Sequence, residues 1–362
     1  MELELTRLAK VSGDSNKYQY ITLFIGILIW ATLNILNVSI PFLEIMPIVS
    51  YHDKDTGTYY EGVELTYAIC ENQKYVIDKH LSKPSWVYQH EIYCSRIKTG
   101  LIGGFLSLGL LIGGLLQVFL VDYIGRRSTM LMSALGYSLT IFLFNFTLEN
   151  LYFVYILEMI LGVWSCNCAL SSLLYLQEIT NSKKMPIFTG IINASYASGG
   201  ILSSLLYKYS FDWQINFNIS FGMGIIVSIL ITAILVESPK FYYINGKIIE
   251  FLDSYKKIAK YNNLTPAFEY WVASNFNKLE RLFYYEEVVG NGLDMEKGGA
   301  DRYSSGGNSK DEVSDLTLNV KSFTNNTYEI DSSENHDYND LREKIYKIYG
   351  TQNLRLRCWL KF

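Results

Sequence analysis

The chain has 362 residues, 49% of them hydrophobic and 18% charged, with 31 basic against 35 acidic side chains. Residues 1–236 carry 30 of the charged side chains and residues 237–362 carry 36, so a long apolar regime precedes a polar one. The uncharged runs of the first exclude a soluble globular domain, and the excess of acids excludes a basic nucleic-acid binder.

A bilayer core of about 30 Å takes roughly 20 apolar residues in helical form, because each backbone amide must be satisfied within its own segment. Six stretches meet this requirement, at 18–40, 99–121, 129–146, 152–174, 187–206 and 217–236. They predict an all-α membrane protein with a six-span domain over residues 18–236. The first stretch ends at Pro41-Phe-Leu-Glu44 instead of a small-residue cleavage site, so it reads as a retained span and not a signal peptide. Arg126 and Arg127 separate the second span from the third, Lys183 and Lys184 separate the fourth from the fifth, and the short connections on the other side carry only Lys208. The positive-inside rule then predicts cytosolic termini, residues 1–17 included, and one large extracytosolic loop over 42–98. Cys70 and Cys94 are the cysteines of that loop. A disulfide between them is the preferred reading, with two unpaired thiols as the alternative.

Between the second and third spans the chain reads Leu120-Val-Asp122-Tyr-Ile-Gly125-Arg126-Arg127. An acid at the membrane surface, a glycine for a tight turn and two arginines make a hairpin. This segment resembles the loop pattern Gly-x-Leu-x-Asp-x-x-Gly-Arg-Arg of the major facilitator superfamily, except that Val118 stands at the first glycine. Glu237-Ser238-Pro239-Lys240, followed by Gly246-Lys247, is similar to a segment shared by sugar porters and organic cation/carnitine transporters. The large loop ending in Ser85-Trp86 and Tyr93-Cys94, and the amphipathic stretch 248–263, resemble the organic cation/carnitine branch more closely. The resemblance covers residues 18–263.

The resemblance implies the N-terminal half of an alternating-access transporter, with its small organic ion bound near the membrane midplane and a coupling proton or cation as a further partner. It makes Asp122, Gly125, Arg126, Arg127, Glu178, Lys184, Glu237, Ser238, Pro239 and Lys240 a cytosolic gating set, in which Glu178 and Glu237 reach Arg126 or Arg127 and Lys184 answers an acid of a neighbouring loop. Static interface pairs of modest energy are the other reading of the same residues. Polar and aromatic side chains able to face a cavity are Trp30, Asn34, Asn37, Gln117, Asn167, Tyr175, Asn193 and Tyr196. Aromatic walls suit an organic cation through its attraction to the ring face. Ordinary interhelical hydrogen bonding would explain the amides equally well.

Glu158 is the one acid or base inside any of the six stretches. A carboxylate there is costly, so it is expected to be protonated, to open onto an outward vestibule, or to bind a cation or proton. It stands where related transporters commonly carry an arginine.

Residues 237–287 are expected to form a cytosolic helical segment, 288–340 a disordered acidic linker, and 341–362 a short helix leading toward a seventh span. Between 291 and 340 there are 11 acids against 4 bases. No P-loop, cofactor motif or metal-ligand spacing is present, so neither an enzyme nor a primary pump is expected. Three readings of the whole remain: a piece of a twelve-span transporter, a six-span chain that pairs with a second half or homologous chain, or a membrane scaffold for a full-length homologue. A plasma-membrane transporter of small organic ions is the leading expectation, and a sugar-porter-like transporter is the alternative.

Overall fold

The computed structural model describes residues 2–13, 16–52, 59–62, 76–77, 82–147, 150–209 and 212–275. The expected linker over 288–340, the terminal segment 341–362 and Cys70 lie outside the described residues. The described residues are nearly all-helical. Helix α1 runs over Glu2–Ser12, α2 over Lys17–Leu43, α3 over Trp86–Gln89, α4 over Arg96–Ile124, α5 over Arg126–Thr147, α6 over Leu151–Ile179, α7 over Met185–Tyr209 and α8 over Trp213–Ile234. Three shorter helices follow, α9 (Pro239–Ile244), α10 (Ile248–Tyr261) and α11 (Thr265–Ser274). One compact unit runs from Ser12 to Asn263, and it contains all six long helices.

Those helices coincide with the six expected spans and each begins before its apolar run, because capping residues start the turns early; five also run past the expected end, whereas α8 stops at Ile234, short of the expected 236. Ser95 accepts from the Lys98 N–H, Asn150 from the Tyr152 N–H and Asp212 from the Gln214 N–H. Five of them, α2, α4, α5, α6 and α8, are long and apolar enough to cross a membrane. The remaining helix, α7, has 25 residues. Its stretch Asn193-Ala-Ser-Tyr-Ala-Ser-Gly-Gly200 interrupts the apolar run.

Helix α4 packs chiefly on α6, α2 on α7, and α5 on α6 and α8. The α4–α6 seam depends on glycine. A Cβ on Gly113 would stand 2.7 Å from the Val163 carbonyl oxygen, and one on Gly162 would strike the Leu106 carbonyl. Backbones approach this closely only where side chains are absent. Val118 is 65% exposed, so the departure from the glycine pattern falls on a face that makes no close contact within the bundle.

At the end of the bundle that carries the large loop, Ser85 donates to the Ile45 carbonyl at 2.7 Å and seats α3. Trp86 is fully buried there, its ring 5.5 Å from Phe144 and 5.8 Å from both Trp213 and Phe217. The loop also holds strands that the sequence reading did not anticipate. Strand β1 (Val49–His52) lies between β2 (Tyr59–Gly62) and β3 (Val76–Ile77), antiparallel to both, with Val49 opposite Gly62 and Ile77. These are short β-branched and aromatic segments, and only their pairing partners, distant in sequence, make them strands.

Candidate functional site

The site begins where α4 ends. Gly125 adopts φ +107°, in the region that favours glycine, and turns the chain directly from α4 into α5. That turn delivers Arg126 and Arg127 to different partners. Arg126 is buried, and its Nε lies 3.1 Å from both oxygens of Glu178 at the end of α6. Its Nη1 donates to the Val121 carbonyl at 3.2 Å, its Nη2 pairs with Asp122 at 3.1 Å, and its guanidinium lies 5.7 Å from the Phe241 ring centroid on α9. The pair is secluded: Arg126 is 4% exposed and Glu178 3%.

Glu237 does something different from the expected side-chain ion pair. Its carboxylate accepts from the backbone N–H of Arg127 at 2.9 Å and of Ser128 at 3.3 Å, so it caps the positive N-terminus of α5. A Cβ on residue 125 would sit 2.7 Å from a Glu237 oxygen, so glycine also makes room for this cap. Arg127 reaches across to the C-terminal turn of α8 and donates to the Thr232 carbonyl at 2.9 Å. Ser238 donates to Glu178 at 2.5 Å, linking the two carboxylates through adjacent residues. Pro239 opens α9, a position where its missing N–H costs nothing, and Lys240 is exposed. Lys184 donates to the Tyr20 hydroxyl at 3.2 Å and lies over that ring.

Residues outside the expected set complete this end. The Tyr18 and Tyr175 hydroxyls are 2.6 Å apart, Tyr175 donates to the Val236 carbonyl at 2.6 Å, and Tyr18 accepts from the Val236 N–H at 2.9 Å. Asn262, just after α10, accepts from the Tyr18 N–H and donates to the Ser12 and Gly13 carbonyls, each at 2.9 Å. An asparagine ending an amphipathic helix was the only available signal for that latch. A cleft of about 780 Å³ lies beside it, lined by Arg127, Glu237, Tyr242, Glu250, Lys257 and Lys260 among others. Burial pushes the Tyr242 phenol up from its ordinary range.

The cavity candidates fall into separate groups. Trp30 donates to Ser172 Oγ at 3.0 Å, and its ring stands edge-on to Tyr196 at 5.7 Å. Asn34 donates to the Tyr196 carbonyl at 2.6 Å and Asn37 to the Tyr196 hydroxyl at 3.3 Å, so these four join α2, α6 and α7. Gln117, in the amide orientation that satisfies both groups, donates to Asn167 Oδ1 at 2.8 Å and accepts from Ser171 Oγ at 3.0 Å. Tyr175 lies instead at the end of the bundle that holds Tyr18 and Val236. Asn193 is exposed on α7. Cys94 is disulfide-bonded.

Glu158 is 0% exposed, and neither carboxylate oxygen has a hydrogen-bond partner. In this arrangement it does not open onto a vestibule.

The described residues form a polytopic helical bundle in which the Gly-Arg-Arg turn ties the ends of α4, α5, α6 and α8 together. The sugar (and other) transporter family model matches residues 52–290, and the chain belongs to that family. It is 26% identical over 209 residues to solute carrier family 22 member 16 of Xenopus laevis, covering 58% of this chain and 36% of that one. It is also 26% identical over 151 residues to the facilitated trehalose transporter Tret1 of Bombyx mori, covering 41% of this chain and 29% of the relative. The chain thus spans about a third of the length of these relatives. The family and both relatives are transporters, not enzymes.

Proposed function

We propose that this chain is the N-terminal body of an alternating-access transporter for small organic ions. The carrying observation is the lock that ties the ends of α4, α5, α6 and α8 through Arg126–Glu178 and the Glu237 cap. In this reading the lock closes the cytosolic end, both termini are cytosolic and the membrane is the plasma membrane. Trp30 and Tyr196 supply an aromatic wall to which an organic cation would be drawn. Gln117, Asn167 and Asn193 would provide polar contacts once the bundle opens. The Cys94 disulfide is assigned to Cys70.

A sugar substrate is the second reading, supported by the match to a trehalose transporter and by the amide-rich helices. Binding separates the two. Purified chain should bind radiolabelled tetraethylammonium or carnitine, with the affinity falling about tenfold or more in Trp30→Ala and unlabelled trehalose failing to compete. Competition by trehalose with no cation bound would transfer the assignment to sugars.

A further inference from the structure

We propose that Glu158 is a proton-binding site, loaded when the bundle closes around it and emptied when the large-loop end opens to water. The observation is the isolation of the carboxyl group. It lies within α6 with 0% exposure, both oxygens are without a partner, and no lysine, arginine or histidine pairs with it among the described residues. A buried carboxylate with no partner is strongly disfavoured against its neutral form, so a closed apolar site holds the acid protonated.

The surrounding elements sharpen this. Just after α2 the charged neighbour is Glu44, of like sign, and one of its oxygens is already committed to the Gly103 N–H at 2.9 Å. From α5 the neighbour is Tyr137, whose hydroxyl donates to the Thr32 carbonyl. Helix α4 offers no ionisable side chain between Lys98 and Asp122, and its backbone packs directly against Gly162, one turn from Glu158. On α7 the ionisable residues are Tyr196, held against Asn37, and Tyr207, Lys208 and Tyr209 at its C-terminal end. A metal ion would need several converging oxygens. The site offers a lone carboxyl and one partly used neighbour, which suits a proton.

Coupling follows from that preference. The protonated acid favours the closed bundle, the carboxylate favours a hydrated one, and proton binding therefore biases which end is open. The coupling rests on the transporter reading, whereas the proton site does not.

Infrared difference spectra of the full chain in maltoside detergent, recorded across pH without substrate, test the site itself. An ordinary glutamate titrates near pH 4. The expected result is a carboxylic-acid band that persists at about pH 7, disappears in Glu158→Gln and survives in Glu44→Gln. Should Glu158→Gln not fold, Glu158→Asp serves, since it keeps the acid and shifts the band. A spectrum at neutral pH with no acid band, or one unaltered by either Glu158 variant, overturns the proposal. Proton-independent uptake alongside a Glu158-dependent band would remove the coupling and leave the site, while absence of substrate binding would count against the transporter reading alone.

Discussion

Arg126 and Glu178 are almost completely removed from water, so the energetics of their pair differ from those of a surface ion pair. Removing one partner strands the other charge in a low-dielectric site, a loss of roughly 3–5 kcal/mol. Arg126→Ala is therefore expected to destabilise the bundle by that amount in denaturant unfolding, and Asp122→Ala by well under 1 kcal/mol, since Asp122 is 65% exposed. Arg126→Lys should recover only part of the loss, because an ammonium cannot meet both Glu178 oxygens and the Val121 carbonyl at once. Equal stability of the Arg126→Ala and Asp122→Ala variants would contradict this account. The residues of the lock were legible because Asp122, Gly125, Arg126 and Arg127 form a local pattern. Their partners were only half legible. An acid at the same end of the spans as an arginine suggests a side-chain pair, but Glu237 binds backbone amides of α5, and those become available only through the way α8 delivers residue 237 to the Gly125 turn.

Elements bring in contacts that no single residue announces. The seam between α4 and α6 places the Gly113 Cα against the Val163 backbone, while Gly104 faces open space. Gly113→Leu should therefore cost more than the 1–3 kcal/mol usual for overpacking, and Gly104→Leu should leave thermal stability nearly unchanged. Helix α3 gives a second case, with a pH dependence. Burial lowers the His90 pKa from its ordinary 6.5, and its Nε2 lacks a hydrogen-bond partner. A depressed folded-state value means that the docked loop is fully stabilised above the ordinary pKa and loses that contribution as pH falls through the folded value. Hydrogen-exchange protection over residues 82–94, taken relative to the intrinsic exchange rate at each pH, should fall as the pH drops below the ordinary histidine value of 6.5, and His90→Gln should remove that fall. Spans were the most readable elements here because lipid demands a continuous apolar run. The strand pairing of β1, β2 and β3 was unreadable, since each segment is four residues or fewer and takes its form from partners elsewhere in the loop.

At the scale of the molecule, the described residues hold one six-helix body, and alternating access is the motion of one such body against another. The lock, the aromatic pair of Trp30 and Tyr196 and the Glu158 site all lie within that body, so substrate recognition and proton binding can begin there. Exchange of the open end cannot, because closing one end while opening the other requires a second surface to rock against. On the proposed transporter reading, residues 1–362 reconstituted at one copy per vesicle are expected to bind a small organic ion and fail to accumulate it. Uptake should emerge only as a second six-helix body is supplied, whether another copy or a homologous chain. Counterflow of labelled substrate measured against protein density distinguishes these cases, since uptake by pairs rises with the square of density when pairs are rare, and uptake by single bodies rises in proportion. Proportional uptake would mean that these six helices alternate access on their own. The Arg126–Glu178 lock would then have to open by rearrangement within the bundle, and Arg126→Ala would raise the transport rate without any change in density dependence.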